Sequence, residues 1–173
     1  MIPSDHFVRF YNEVFKALER KGRGPLVAYW RELGRLQAGE LKERFRQGGL
    51  SAAAAYWRRI VREENCQAEI VESPDHFELR MLRCPSLSKV LDNDATPCAA
   101  YCDHCMAWIE PAMEGCGLYP VLDMESRCEP HCRLRVYKDR RDAEAFARQA
   151  KLLSDPYAPP ASVASRPPAK PRP

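Results

Sequence analysis

The hydrophobic period of this chain changes once, near residue 66, and that change constrains its fold more than any other feature. Before it, apolar side chains recur every three or four residues, the period of a helix with one buried face. Ser4 stands where a helix cap is wanted, and Phe7, Phe10, Tyr11, Val14 and Leu18 form a stripe running to about Lys21. Gly22 and Gly24 end that helix, and Pro25 suits the first position of the next. Leu26, Tyr29, Trp30, Leu33 and Leu36 stripe a second helix to about Arg46, and Gly48-Gly49 interrupts it. Ser51 opens a third, with Ala53, Trp57, Ile60 and Glu64 on one side.

Beyond residue 66 the side chains alternate. In His76–Arg83, Phe77, Leu79 and Met81 share a face, which reads as a strand with Ala68–Glu72 as its hairpin partner. Leu118–Glu125 and Cys132–Lys138 read as two more strands, and in the second of these Cys132, Leu134 and Val136 share a face. Between the pairs, a helix capped by Thr96 and opened by Pro97 is expected to reach Ile109. A last helix is expected over Arg140–Leu153, with Ala143, Phe146, Ala147 and Leu153 inward. The sum is an α+β fold: an N-terminal helical unit, an antiparallel sheet of about four strands, a Cys-bearing helix and a C-terminal helix. A length of 173 residues suits one domain, with 1–65 and 66–154 packed together. Residues 155–173, of which 7 are Pro, cannot bury a core and are expected to be a disordered tail able to dock a protein partner.

Charge is unevenly spread. Residues 1–65 carry a net +5, residues 66–138 a net −5 and residues 139–173 a net +3. All eight cysteines, from Cys66 to Cys132, lie in the acidic middle. A nucleic-acid finger needs a basic face, so this segment is not read as one, and no nucleic-acid partner is expected. The longest apolar stretch, Leu50 to Trp57, is too short to span a bilayer. The first residues show no basic-then-apolar leader pattern, so a cytoplasmic protein is expected. In a reducing compartment, dense cysteine points to metal binding or catalysis rather than disulfides.

Cys98, Cys102 and Cys105 are spaced so that one helix would carry all three on one face. Three such thiols could bind an iron–sulfur cluster, with Cys116 or Cys128 as fourth ligand. The same spacing occurs in radical S-adenosylmethionine enzymes, but those need a large partial barrel, and 68 residues after Cys105 cannot build one. Zinc is the other expectation: Cys102, Glu125, Cys128 and Cys132 could supply a tetrahedral set and staple helix to sheet. His104 and His131 flank these clusters. Cys66 and Cys84 read as small buried hydrophobes. Water on such a metal would be the nucleophile; the alternative is a thiolate, for which Cys98, in the first turn of the expected helix, is the best candidate, because the helix dipole lowers a thiol pKa there. Asp103 or His104 would handle protons.

Leu79–Pro85, Tyr101-Cys102-Asp103, Gly117-Leu118-Tyr119-Pro120 and Cys132-Arg133-Leu134-Arg135 together resemble the L-2-amino-thiazoline-4-carboxylic acid hydrolase family, over residues 77–138. That resemblance implies hydrolysis of a C–N bond in a small molecule, with Cys84, Cys102, Asp103 and Cys132 in the site. The chain departs from the family where Cys105 replaces a carboxylate and where Arg133-Leu134 replaces Asp-Phe. The strand–turn–strand also resembles 4-vinyl-reductase-like ligand-binding domains, through Cys102 and Glu125-x2-Cys128. This second likeness implies a small-molecule pocket beside a structural zinc, with no catalysis required.

Overall fold

The computed structural model describes residues 3–92, 95–127 and 129–157. Helix α1 spans Pro3–Glu19 and α2 spans Arg23–Glu63. Strands β1 (Gln67–Glu72) and β2 (His76–Arg83) follow, then α3 (Pro85–Asp92). A 3-10 turn at Tyr101–Asp103 leads into α4 (His104–Met113). Strands β3 (Tyr119–Asp123) and β4 (Cys132–Tyr137) and helix α5 (Arg140–Ala147) complete the chain. The strands form one antiparallel sheet in the order β1-β2-β4-β3. The α+β architecture expected from the change of period is therefore the observed one.

The glycine pair does interrupt the helical stretch. Gly49 has φ 54° and ψ −141°, a left-handed φ that glycine adopts without steric cost, and it bends α2 into two arms. Both arms pack on the rest of the molecule: Ala38 and Phe45 from the first and Ala53 and Ala54 from the second join Phe77, Leu79, Leu134 and Val136 of the sheet in the largest apolar core. A second core gathers Val8, Phe15, Trp30, Leu87, Val90 and Tyr101, with Phe15 edge-on to Trp30 at 5.3 Å.

Several helical expectations need correction. Phe7 and Phe10 are 69% and 67% exposed and Leu36 is 65% exposed, so the inward stripes of α1 and α2 are narrower than their apolar pattern. The cap assigned to Ser4 falls on a side chain outside the described residues, as does the tail beyond Tyr157. The helix expected from Pro97 begins instead at His104. Buried Asn12 on α1 is the reason: its side-chain oxygen accepts from the Cys98 N–H at 2.9 Å, and its amide donates to the Thr96 carbonyl at 3.2 Å. The segment before the 3-10 turn is thereby held against α1, its backbone groups satisfied without a helix.

Helix α3 falls where the sequence reading placed no element. Cys84 caps it, its Sγ accepting from the Leu87 N–H at 3.5 Å, and Pro85 takes the first helical position. At the other end, α5 stops at Ala147 rather than Leu153. Residues 152–154 run instead along the free edge of β3: Met124 N–H donates to Leu152 O and Ser154 N–H to Leu122 O, both at 2.9 Å. This covers the sheet edge and leaves Leu153 40% exposed instead of buried.

Candidate functional site: a thiol-walled cavity

A cavity of about 730 Å3 lies between the two arms of α2, helix α4 and the inner face of the sheet. Leu41, Phe45, Tyr56, Trp57, Ile60, Trp108 and Ile109 supply helical wall, and Leu79, Met81, Leu122 and Leu134 the sheet side. Its size is that of a small-molecule site, and its lining is mainly apolar, as such sites are. Exposed Arg44 and Arg59, with Glu40 and Glu64, contribute charged groups to the lining.

Four thiols gather at one wall of this cavity, three in its lining and one beside them, each carried by a different local structure. Cys84 caps α3, Cys102 sits in the 3-10 turn, Cys105 is in the first turn of α4 and Cys132 opens β4. Strand pairing explains two of them. Met81 lies opposite Cys132 across the β2–β4 ladder, and the Cys84 N–H donates to the Pro130 carbonyl just before β4. Cys84, Cys105 and Cys132 line the cavity directly, and so does Cys66. Cys102 lies alongside, its Sγ donating to the Arg127 carbonyl at 3.9 Å.

Burial dominates their chemistry. Desolvation pushes the Cys105 thiol up to about 12, with the Asp103 charge adding to it. It also raises Cys84, Cys102 and Cys132, and each of these then feels the negative charge its neighbours would carry: Cys105 acts on all three, Cys84 on Cys102 and Cys132, and Cys102 on Cys132. Four thiols within electrostatic reach of one another cannot all ionise unless a cation joins them. Among the described residues, no three His, Cys, Asp or Glu side chains already stand in a ligating arrangement.

The other sequence candidates fall elsewhere. Cys98 is not on α4. It is buried in the second core, and its Sγ donates to the Glu19 carboxylate at 3.4 Å. Burial and the Glu19 charge push it up to about 12, the opposite of the depressed thiol expected of a helix-start nucleophile. Cys116 turns toward α2, where its Sγ donates to the Lys42 carbonyl at 3.4 Å. The structure thus brings Cys102 and Cys105 together but leaves Cys98 and Cys116 out of their group. Glu125 is engaged by Arg133 at 2.8 Å and by His131 at 3.5 Å. Cys128 lies outside the described residues.

Asp103 is fully buried, and its Oδ2 receives Arg127 at 3.0 Å and Arg23 at 3.7 Å. That pairing ties the loop after β3 to the 3-10 turn and keeps Asp103 out of the cavity lining. His104 does line the cavity. Its Nδ1 meets the Tyr101 carbonyl, an arrangement that places the ring proton on Nδ1 and leaves Nε2 a bare acceptor, 3.8 Å from Cys105 Sγ. Tyr11, Phe15, Tyr101 and Trp108 surround the ring.

Desolvation lowers the pKa of His104 from 6.5 to about 4, against the smaller opposing pull of the Tyr101 carbonyl and Asp103. Between those two values the unfolded chain holds a proton that the fold refuses, so stability is complete above about pH 6.5 and declines as pH falls toward about 4. The full gap is worth about 3 kcal/mol. Urea unfolding of metal-free protein at several pH values across this window is expected to show that decline, and His104→Gln is expected to flatten it.

The site is thus a mainly apolar cavity with partly buried thiols in one wall, on a helix-covered antiparallel sheet. No family model, curated protein or solved structure matches the chain. The likeness to the thiazoline-carboxylate hydrolases rests on the short motifs alone.

Proposed function

We propose that this chain is a small-molecule-binding protein in which Cys84, Cys102, Cys105 and Cys132 hold a zinc ion at the wall of the apolar cavity. The observation that supports this reading is the gathering of four partly buried thiols from four separate local structures, Cys84, Cys105 and Cys132 in the cavity lining and Cys102 beside them. The donor chemistry fits the metal: an all-sulfur set suits zinc and excludes hard cations such as magnesium or calcium. Raised thiol pKa values fit as well, because a dication supplies the charge that makes several adjacent thiolates tolerable and releases their protons on binding. A four-thiolate zinc is coordinatively closed, so its contribution is to staple α3, the 3-10 turn, α4 and β4 together and give the cavity a fixed wall.

Hydrolysis of a C–N bond is the second reading, favoured by the contact between Cys105 Sγ and His104 Nε2. Cys105 would give its proton to Nε2 and add to an amidine-like carbon; the C–N bond would then break as Nε2 returns that proton to the leaving nitrogen, and water would cleave the C–S bond and restore the thiol. It ranks second because burial opposes that transfer from both sides, holding the thiol near 12 and the imidazole near 4. Native mass spectrometry of the purified chain, incubated with small neutral aromatic compounds and thiazolines, separates the two. Binding of unaltered compound to a zinc-loaded chain is expected. Steady conversion of a thiazoline, abolished in Cys105→Ser, would replace the binding reading with the hydrolytic one.

A further inference from the structure

Three hydroxyls cluster beside the cavity. The Tyr11 hydroxyl is 3.2 Å from Ser86 Oγ, and Ser86 Oγ is 2.7 Å from the Tyr101 hydroxyl. Tyr11 and Ser86 line the cavity; Tyr101 is 1% exposed and does not. Two hydrogen bonds among three O–H groups use two protons and leave one. A spare proton on Tyr101 would sit in the core, where an unmatched donor is costly. The short bond fits Tyr101 as donor to Ser86, since a phenol is a better acid than an aliphatic alcohol. The third proton then stays on Ser86 or Tyr11, both at the cavity wall. The Tyr11–Ser86 separation is long for an O–H···O bond, so Tyr11 is the loosely held member.

We propose that the ligand of this cavity is an uncharged, largely aromatic molecule bearing one carbonyl-type acceptor, received by the Tyr11 hydroxyl at the end of the Tyr101–Ser86–Tyr11 chain. Successive donation polarises the last hydroxyl and makes it a stronger donor than an isolated tyrosine. Trp108 lies against Tyr11, and Trp57, Ile60 and Met81 elsewhere in the lining add apolar surface for an aromatic body. Apart from the proposed zinc site, charged groups among the lining residues belong to exposed side chains such as Arg44 and Arg59.

This inference rests on the cavity being a small-molecule site, and a matched pair of probes separates the two claims. The probes are 2-acetylnaphthalene and 2-ethylnaphthalene, nearly equal in shape and differing in the acceptor. Titration of the zinc-loaded chain followed by naphthalene fluorescence is expected to show binding of both. Tyr11→Phe is expected to weaken the ketone about fivefold, the ratio of one ordinary hydrogen bond, and to leave the hydrocarbon unchanged. Ser86→Ala, which breaks the chain without touching the final donor, is expected to weaken the ketone about twofold. The infrared carbonyl stretch of the bound ketone should be lowered on the parent chain and return upward in Tyr11→Phe, a shift that a merely structural role would not produce. Equal changes for ketone and hydrocarbon, or an unmoved carbonyl stretch, would overturn the hydroxyl proposal and leave the cavity reading standing. Failure of both probes to bind the folded parent chain would overturn both. Should Tyr11→Phe fail to fold, Ser86→Ala carries the same comparison.

Discussion

Gly34→Ala is expected to destabilise the fold by about 3 kcal/mol, the upper range for forcing volume into a packed contact. Helices α2 and α4 touch closely at this point: a Cβ on Gly34 would come within 2.1 Å of the Ala107 carbonyl oxygen and 3.2 Å of Pro111 Cγ. Backbone cannot step aside there as a flexible side chain could, so the two helices must separate. Because α4 carries His104, Cys105 and Trp108 to the cavity, separation would also widen the site. Gly39, on the same helix, is exposed, and a Cβ there would meet nothing within 4 Å. Gly39→Ala is expected to raise stability by about 0.5–1 kcal/mol, through helix propensity alone. Opposite shifts of the urea midpoint in these two variants, at unchanged slope, would check the packing account. A neutral Gly34→Ala would contradict the close helix approach.

The second large effect separates the thiols into two groups. Serine at Cys84, Cys102, Cys105 or Cys132 is expected to cost about a hundredfold or more in zinc affinity, since each would remove one of the four proposed ligands and leave a hydroxyl that binds zinc poorly. Serine at Cys98 or Cys116 is expected to leave zinc content unchanged, because those thiols face Glu19 and the Lys42 carbonyl instead. Competition with a chromogenic chelator reads both groups in one titration. Zinc loss from Cys98→Ser equal to that from Cys105→Ser would instead support the linear grouping suggested by spacing.

That grouping shows where sequence reasoning stops. The sheet is legible because alternation is a local property: β2 is expected at His76–Arg83 and is found there, and β1, β3 and β4 differ from expectation by a residue or two at their ends. Inward parity of Cys132 with Leu134 and Val136 is equally local. The position of Cys98 is not, because it depends on Asn12, 86 residues away, holding the Cys98 peptide against α1. Without that contact a Thr-Pro pair reads as a helix start. Helix α3 does leave a signal in the sequence, since Cys84-Pro85-Ser86 followed by Leu87, Val90 and Leu91 has a capping site, a first-turn proline and a helical stripe. With α3 recognised, Cys84 becomes a cap beside the sheet rather than a small buried hydrophobe. His104 illustrates the remaining gap: its burial among Tyr11, Phe15, Tyr101 and Trp108 comes from separate segments, which no pattern along the chain reveals.

The hydroxyl chain is invisible in the sequence for the same reason. Tyr11 belongs to a core stripe and Ser86 to a strand-to-helix junction, and their contact spans 75 residues. The site is assembled by tertiary packing from groups whose local patterns mark them only as core or loop.

Elemental analysis of the anaerobically purified chain, with acid-labile sulfide, tests the central claim most directly. One zinc per chain without sulfide is the predicted result. A chain with no bound metal and the four cavity thiols freely titrating would contradict the account, and so would equal amounts of iron and sulfide, which would make the same cysteines the seat of a redox cluster.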